Sequence, residues 1–257
     1  MRTCASGVGE IHPSARGFDR AAASYERARP DYPDEAVALI VEHAAIERGT
    51  PVLDLAAGTG KLSRPLAAAG ARIVAVDPSA PMLERLRVTL PDAETHVATA
   101  ERLPLPDASV AAVTVAQAFH WFRPDDALPE IHRVLRPAGS VALIWNTRDL
   151  SDPLQQELSC VFAPFEGDTP RHRGTGSADE LARSGLFGEL EAHEFPLRQE
   201  LDEDGLVDRV LSVSFVAEAG AAAVAHVEAR VRELARELPR PLVLPYTTQL
   251  FLARRLP

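Results

Sequence analysis

The sequence predicts an α/β fold, in which a seven-stranded, mostly parallel sheet carries helices on both faces and a helical lid insertion. Three observations predict it. Between residues 51 and 146, short apolar runs alternate with segments of helical length, and repeated strand–helix units build parallel sheets with right-handed crossovers. The runs consist mainly of Val, Ile, Leu and Ala, as in strands buried on both faces. Hydrophobic residues form 46% and charged residues 25% of the 257-residue chain, a globular balance that excludes wholesale disorder.

Seven apolar runs have the length and composition of strands. The predicted strands cover residues 52–55, 72–76, 95–98, 109–116, 140–145, 190–201 and 242–253. The first five belong to the regular alternation. The last two follow the point near Arg148 where the alternation ends, and they complete the seven.

Seven helices are predicted between these strands and in the less regular part of the chain. They cover residues 33–49, 61–69, 79–90, 124–135, 177–185, 203–217 and 219–238. Pro33 stands in the first turn of the first helix and Gly49 at its end, which are the positions that these residues favour. Pro65 and Pro129 fall inside two of the helices and should kink or shorten them.

The pattern also predicts how the chain is organised. Residues 1–17 are polar and punctuated by Gly and Pro, which predicts a flexible N-terminal arm. Residues 18–257 should form a single domain with its core at 33–150. Segments at about 151–176 and 203–240 interrupt the alternation. We expect them to be insertions, and the helices of the second should form a lid, pack on the sheet or make a dimer contact.

Composition excludes several classes of protein. The formal net charge of −10 disfavours a nucleic-acid partner. No apolar run reaches the roughly 18 residues of a membrane span, and the first residues do not read as a secretory signal. Cys4 and Cys160 cannot build a disulfide framework, and the histidines lack metal-ligand spacing. We therefore expect a cytoplasmic monomer or homodimer without a metal, a nucleic-acid partner or a membrane partner.

The strongest chemical signal lies at residues 52–60, which read Val-Leu-Asp-Leu-Ala-Ala-Gly-Thr-Gly. An apolar strand leads to Asp54, a turn of small residues follows, and a helix begins with free N–H groups. Gly58 and Gly60 allow a ligand close to the backbone and permit positive φ. The next strand ends in Asp77, whose carboxylate can accept hydrogen bonds from ribose hydroxyls. This order of strand, glycine turn, helix, strand and acid predicts a nucleoside-type cofactor at the carboxyl edge of the sheet. The alternative is that the glycines only form a tight turn and that Asp77 is a capping residue at the surface.

Two cofactor classes use such a turn. The dinucleotide fingerprint Gly-x-Gly-x-x-Gly needs a third glycine where this chain has Ser63. The spacing instead resembles the Asp-x-Gly-x-Gly-x-Gly motif of class I S-adenosylmethionine-dependent methyltransferases, with Ala56 at the first glycine position. Further segments resemble the small-molecule branch of that family, which includes type 11 and trans-aconitate methyltransferase-like enzymes. These segments are residues 98–107, 116–122 and 133–139.

The resemblance implies a Rossmann-like fold and S-adenosyl-L-methionine as the cofactor, with S-adenosyl-L-homocysteine as its product. It implies that the loop ending at Gly60 cradles the methionine part, that Asp77 binds the ribose and that Pro78 flanks the adenine. Thr99 stands where the family usually has an acidic residue facing the adenine amine. The implied cofactor-binding residues are Tyr25, Arg29, Asp54, Ala56, Gly58, Gly60, Asp77, Pro78, Thr99, Ala100, Glu101 and Gln117.

The methyl acceptor should bind near the carboxyl ends of the strands. His120 and Trp121 follow the fourth strand, Asn146 and Arg148 follow the fifth, and Tyr246 lies in the last strand. These five residues form the predicted substrate pocket. His120 is the candidate base and Arg148 the candidate partner of an acidic acceptor. The alternatives are packing for His120, a structural salt bridge for Arg148 and core packing for Tyr246.

The leading hypothesis is a methyltransferase that acts on a small organic molecule by direct in-line methyl transfer, with O-methylation slightly favoured. Such a reaction requires placement of a nucleophile and exclusion of water more than it requires catalytic side chains. One alternative is an NAD-dependent oxidoreductase with the same glycine turn. The other is a relative that binds the cofactor without catalysis.

Overall fold

The structure is a computed structural model that describes residues 28–167, 176–217 and 219–257. The strands are β1 (Pro51–Leu55), β2 (Arg72–Asp77), β3 (Glu94–Val97), β4 (Val110–Ala116), β5 (Leu135–Arg148), β6 (Glu191–Leu201) and β7 (Leu242–Arg254). They form a seven-stranded sheet in the order β3-β2-β1-β4-β5-β7-β6. Strands β1 to β5 are parallel, and β7 is antiparallel to both β5 and β6. The predicted fold and its seven strands are confirmed.

Helices cover both faces of the sheet. They are α1 (Asp34–His43), α2 (Ser63–Ala68), α3 (Ala80–Thr89), α4 (Pro124–Val134), α5 (Pro153–Phe162), α6 (Gly176–Arg183), α7 (Glu203–Leu211), α8 (Ser214–Ala217) and α9 (Ala221–Arg236). Successive strand residues point to opposite faces, so Leu53 packs with α4 and α6, while Val52 packs with α1, α2 and α3. Both faces are therefore buried, which explains the continuous apolar runs.

Two predicted helices end much earlier than expected or are interrupted. The helix predicted at 33–49 ends at His43, because Ala45 adopts a left-handed φ of 47° that no helix can continue. The helix predicted at 203–217 is broken into α7 and α8. There the Ser212 hydroxyl donates 2.7 Å to the carbonyl of Arg209 and accepts 3.2 Å from Nε of Arg29. A residue distant in sequence thus helps to end α7.

The two helix prolines have different outcomes. Pro65 lies in the first turn of α2, which begins at Ser63 and is shorter than predicted. A proline is tolerated there because the first N–H groups of a helix have no intrahelical partner. Pro129 lies inside α4, yet α4 runs unbroken from Pro124 to Val134. Pro129 therefore does not shorten α4, and the N–H that it lacks would have reached the carbonyl of Asp125 in the first turn.

The insertions gather beside the carboxyl end of β5. Helices α5, α7 and α9 share an apolar cluster with Leu244 and Tyr246, at the start of β7. Because β7 is antiparallel, Tyr246 pairs with Arg148, the last residue of β5. The cluster therefore stands at the edge of the sheet where the five parallel strands end.

Part of the predicted organisation lies outside the described residues. This applies to the arm at 1–17, to Tyr25, and to residues 168–175 of the first insertion. Within the described ranges, no helix combines the length and the apolar character needed to cross a membrane.

Candidate active site

A crevice opens at the carboxyl ends of β1 and β4. The chain leaves β1 towards β2 on one side, and later leaves β4 towards β5 on the other. Ligands of open α/β sheets bind at such a reversal of strand order, because the connecting segments diverge there. The residues that line this cleft are Arg29, Pro30, Tyr32, Ala56, Ala57, Gly58, Thr59, Lys61, Leu62, Ala116, Gln117, Asn146 and Arg209.

The loop after β1 has an unusual backbone. Ala56, Gly58 and Gly60 have φ values of 58°, 56° and 86°. A Cβ added to Gly58 would meet no atom within 4 Å, whereas one on Gly60 would lie 3.0 Å from Cγ of Leu86. Gly60 thus permits close packing against α3, and Gly58 leaves an open cradle in the cleft.

Two non-glycine residues of the cleft, Ala56 and Gln117, have backbone φ values in the left-handed region. Ala56 occupies the first glycine position of the motif, and its φ of 58° preserves the shape of the loop there. Gln117, directly after β4, has a φ of 60°. Such conformations are each unfavourable by roughly 1–3 kcal/mol and cluster at functional sites. Both lie on the cleft wall, as predicted for cofactor-binding residues.

Asp77 holds the glycine loop in place from the end of β2. Its Oδ2 accepts 2.8 Å from the N–H of Gly58, and its Oδ1 accepts 2.8 Å from the N–H of Ser79. The residue is buried with 7% exposure. The carboxylate therefore stands beside the Gly58 cradle, at the position predicted for the ribose-binding acid.

Asp54 lies beneath the loop. It is 1% exposed and accepts hydrogen bonds from the hydroxyls of Ser63 and Thr114, the second at 3.1 Å. Burial is the main cause that raises the pKa of Asp54 to about 6, and nearby Asp77 raises it further. In this structure the carboxylate supports the loop from below. Ser63, which stands at the third glycine position of the dinucleotide fingerprint, is one of the two donors that hold it.

A pH-dependent stability is expected from Asp54. Its folded-state pKa of about 6 lies above the reference value of 3.8, so the folded protein binds this proton more tightly than the unfolded chain. The resulting stabilisation is complete below about pH 4 and is lost as pH rises to about 6. Over that range, the free energy of unfolding should fall by on the order of 3 kcal/mol relative to Asp54→Asn. Denaturant unfolding of both proteins across pH measures this difference, and parallel curves would contradict it.

The predicted adenine side follows β2 and β3. The N–H of Ala98 donates 3.3 Å to the carbonyl of Asp77, so the segment after β3 is joined to the end of β2. Pro78 directly follows Asp77, Ala100 is buried, and Thr99 is half-buried. The Glu101 carboxylate accepts 3.0 Å from the N–H of Arg123, just before α4. A contact of Glu101 with a cofactor would therefore come from its backbone.

Arg29 and Asn146 both line the cleft and both bond to residues distant in sequence. Arg29 donates to the hydroxyl and carbonyl of Ser212, at 3.2 and 3.1 Å, and so ties the N-terminal segment to the end of α7. Asn146 donates 3.1 Å to the carbonyl of Asp31 and accepts 2.7 Å from the hydroxyl of Thr248. Both predicted residues line the cleft, and both also hold its walls together.

The other predicted acceptor-pocket residues do not appear among the described residues that line this cleft. His120 lies in a short 3-10 helix, its ring 5.1 Å from that of Trp121, and Trp121 packs on the core. The guanidinium of Arg148 lies 4.8 Å from the Phe162 ring. Tyr246 is 3% exposed in the apolar cluster of the insertion helices, so the expectation that it faces the pocket is corrected. The alternating pattern of β7 places it on the inner side of those helices.

Arg209 is one of the cleft residues that sequence reasoning missed, together with others such as Tyr32 and Lys61. It lies on α7, 61 residues beyond Arg148 along the chain, and it lines the same cleft as Asn146. Its Nε donates 2.9 Å to the hydroxyl of Tyr246. No local motif marks Arg209, because the packing of the insertion alone brings it to the sheet edge.

Comparisons with known proteins agree with this geometry. The family model of the methyltransferase domain matches residues 53–143, which run from β1 into β5 and include the glycine loop and Asp77. An uncharacterized methyltransferase of Mycobacterium bovis is 40% identical over 236 residues, covering 90% of this chain and 92% of that protein. This likeness extends beyond the sheet into the insertions.

Solved structures share the fold. A proposed type II methyltransferase from Anaeromyxobacter dehalogenans matches with a TM-score of 0.62 and 26% identity, covering 88% of this chain and 97% of that chain. Phosphoethanolamine N-methyltransferase 2 of Haemonchus contortus, solved with phosphomonomethylethanolamine and S-adenosylhomocysteine, matches with a TM-score of 0.59 and 16% identity, covering 96% and 61%. The relatives are methyltransferases, which favours a methyltransferase over an NAD-dependent oxidoreductase. The chain belongs to the class I S-adenosylmethionine-dependent methyltransferases.

Proposed function

We propose that the protein transfers a methyl group from S-adenosyl-L-methionine to a small organic acceptor, in line and directly, with an acceptor oxygen favoured. The observation that carries this proposal is the open cradle at Gly58, beside the buried carboxylate of Asp77 and at the reversal of strand order. A formal net charge of −10 supports a small acceptor over a nucleic acid. The proposal includes a cytoplasmic monomer or homodimer, in keeping with the sparse cysteines.

The residues of the cleft fit the cofactor. The space that a Cβ would occupy at Gly58 is open, so a ligand can contact the loop backbone there. Asp77 can accept from ribose hydroxyls, and Pro78 and the half-buried Thr99 follow at the adenine side. The Haemonchus enzyme, which shares the fold, was solved with S-adenosylhomocysteine. We assign the methionine part to the loop between Ala56 and Gly60.

When bound, S-adenosylmethionine supplies an electrophilic methyl group, which a nucleophile takes as the electron pair of the S–C bond returns to sulfur. The residues of this chain then have to orient the acceptor and exclude water. The N-terminal segment contributes to exclusion, because Arg29 and Asp31 tie it to Ser212 and Asn146 across the cleft. A base is required only for an acceptor that must lose a proton. His120 in that role and Arg148 as an acceptor ligand stay predictions, since neither side chain lines the cleft.

Calorimetric titration with S-adenosylmethionine, S-adenosylhomocysteine and NADH tests the cofactor. We expect micromolar binding of the first two and no binding of NADH, since the loop lacks the third glycine of the dinucleotide fingerprint. Formation of S-adenosylhomocysteine with a panel of small acids, phenols and amines then tests turnover. Binding of NADH alone would contradict the proposal. Tight cofactor binding without turnover on any acceptor would favour a relative that binds the cofactor without catalysis.

A further inference from the structure

Arg209 is a buried guanidinium that is held in one orientation. Its exposure is 7%, and its Nε donates 2.9 Å to the hydroxyl of Tyr246. The guanidinium carbon lies 5.7 Å from the centre of the Tyr246 ring. The Tyr246 hydroxyl in turn donates 3.4 Å to Oε1 of Gln199. This chain of contacts joins α7 to β7 and β6, and it leaves the terminal nitrogens of Arg209 to face elsewhere.

Those terminal nitrogens have no counter-charge in the described parts of the chain. Nη1 is buried and makes no hydrogen bond to a described residue, and no carboxylate among those residues forms an ion pair with Arg209. Other arginines of the insertion are paired: Arg232 contacts three carboxylates, and Arg230 pairs with Glu233 at 2.6 Å. A buried charge without a partner destabilises a folded protein. An anionic ligand would satisfy it.

The cleft places Arg209 away from the predicted ribose site. Asp77 ends β2, whereas Arg209 is bonded to β7, four positions along the strand order. At a strand spacing of about 4.8 Å, strands β2 and β7 are roughly 19 Å apart across the sheet. Gly58 follows β1, which stands between β2 and β7 in the strand order, and it lines the same cleft as Arg209. A cofactor that extends from Asp77 across the loop would therefore leave Arg209 beside the space beyond its methyl group.

We propose that Arg209 binds a carboxylate of the methyl acceptor, and so restricts the enzyme to acceptors that carry an acidic anchor. This inference rests on the proposed function, and it concerns the anchor and not the atom that is methylated. A planar guanidinium matches a carboxylate with two parallel hydrogen bonds. One guanidinium balances one negative charge. The other cations of the cleft are engaged, since Lys61 pairs with Asp31 at 2.9 Å and Arg29 bonds Ser212.

Formate is the probe, because it is the smallest carboxylate and needs no knowledge of the acceptor. Thermal unfolding of the wild type is followed with increasing formate, with chloride at equal ionic strength and with formamide as the neutral counterpart, both with and without S-adenosylhomocysteine. We expect formate to raise the melting temperature, and we expect neither chloride nor formamide to do so. Arg209→Met should abolish that gain, whereas Arg230→Met, which removes the same charge from a paired surface arginine, should retain it. Equal gains in the wild type and Arg209→Met would overturn the proposal.

Stability separates this role from a structural one. Arg209→Met removes an unpaired buried charge, so its melting temperature without ligand should equal or exceed that of the wild type. A large loss would make Arg209 a structural residue and overturn the proposal. Arg209→Lys provides a second variant that keeps the charge but not the planar fork, and we expect it to show a weaker response to formate.

A last comparison distinguishes an acceptor carboxylate from that of the cofactor itself. Arg209→Met should bind S-adenosylhomocysteine and 5′-methylthioadenosine, which lacks the amino-acid part, as the wild type does. A selective loss of about 10- to 150-fold for S-adenosylhomocysteine, the range for hydrogen bonds to a charged group, would assign Arg209 to the cofactor and overturn the proposal. Absence of S-adenosylhomocysteine binding in the wild type would instead contradict the proposed function. The effect of formate on the melting temperature would still be measurable without S-adenosylhomocysteine.

Discussion

A Gly58→Val variant should lose affinity for S-adenosylhomocysteine by at least about 100-fold, or roughly 3 kcal/mol, while it stays folded. An added Cβ would meet no other residue's atom within 4 Å, so the valine side chain would extend into the cradle where we place the cofactor. Valine at a φ of 56° is also strained, by roughly 1–2 kcal/mol, which an ordinary domain tolerates. Calorimetric titration gives the affinity, and circular dichroism during heating shows whether the variant folds.

Gly185→Val is the matched control for that experiment. Gly185 has a φ of 68°, and an added Cβ would also meet nothing within 4 Å, but the residue does not line the cleft. The two substitutions thus introduce the same side chain with similar backbone strain. We expect Gly185→Val to lower the melting temperature to a similar extent and to bind S-adenosylhomocysteine normally. Wild-type affinity in Gly58→Val would remove the loop from the cofactor site.

The second large effect is expected for Asp77→Ala, which should weaken S-adenosylhomocysteine binding by roughly 1.5–3 kcal/mol. Two causes act together. The ribose hydroxyls would lose the hydrogen-bond acceptor that we assign to them. The N–H of Gly58 would lose the Asp77 carboxylate oxygen, 2.8 Å away, that holds the loop. The decrease in affinity is measured by calorimetry. A parallel melting curve shows how far the loop contact contributes to stability.

Two further variants show whether the effect belongs to the carboxylate of Asp77. Asp77→Asn keeps the size of the side chain but has a single oxygen, so it can serve Gly58 or Ser79 but not both. We expect its affinity to lie between those of the wild type and Asp77→Ala. Asp107→Ala removes an exposed carboxylate that pairs with Arg133 outside the cleft, and should bind normally. If Asp77→Ala also bound normally, the ribose would have to lie elsewhere.

The strands were predictable because their signal is local. A strand buried on both faces needs apolar residues throughout, and β1 and β2 show this without help from distant residues. Helix ends were less predictable. Helix α7 ends at a contact of Ser212 with Arg29, 183 residues apart, and α1 ends where Ala45 turns left-handed. Neither event has a strong sequence signal, since Ser and Ala are both compatible with a helix interior.

The sequence by itself determined the alternation of strands and helices, the glycine loop and the acid that ends β2. These features depend on residue type and on spacing along short stretches of the chain. Gly58 permits a positive φ, and the Asp77 carboxylate binds the N–H of Gly58 nearby. Only the tertiary structure decided which side chains share the cleft. Tyr246 lies in the apolar cluster of the insertion helices, and Arg209 lies at the cleft. Both placements result from helix packing, which buries apolar faces whatever the distance between residues along the chain. The proposed acceptor specificity rests on that packing.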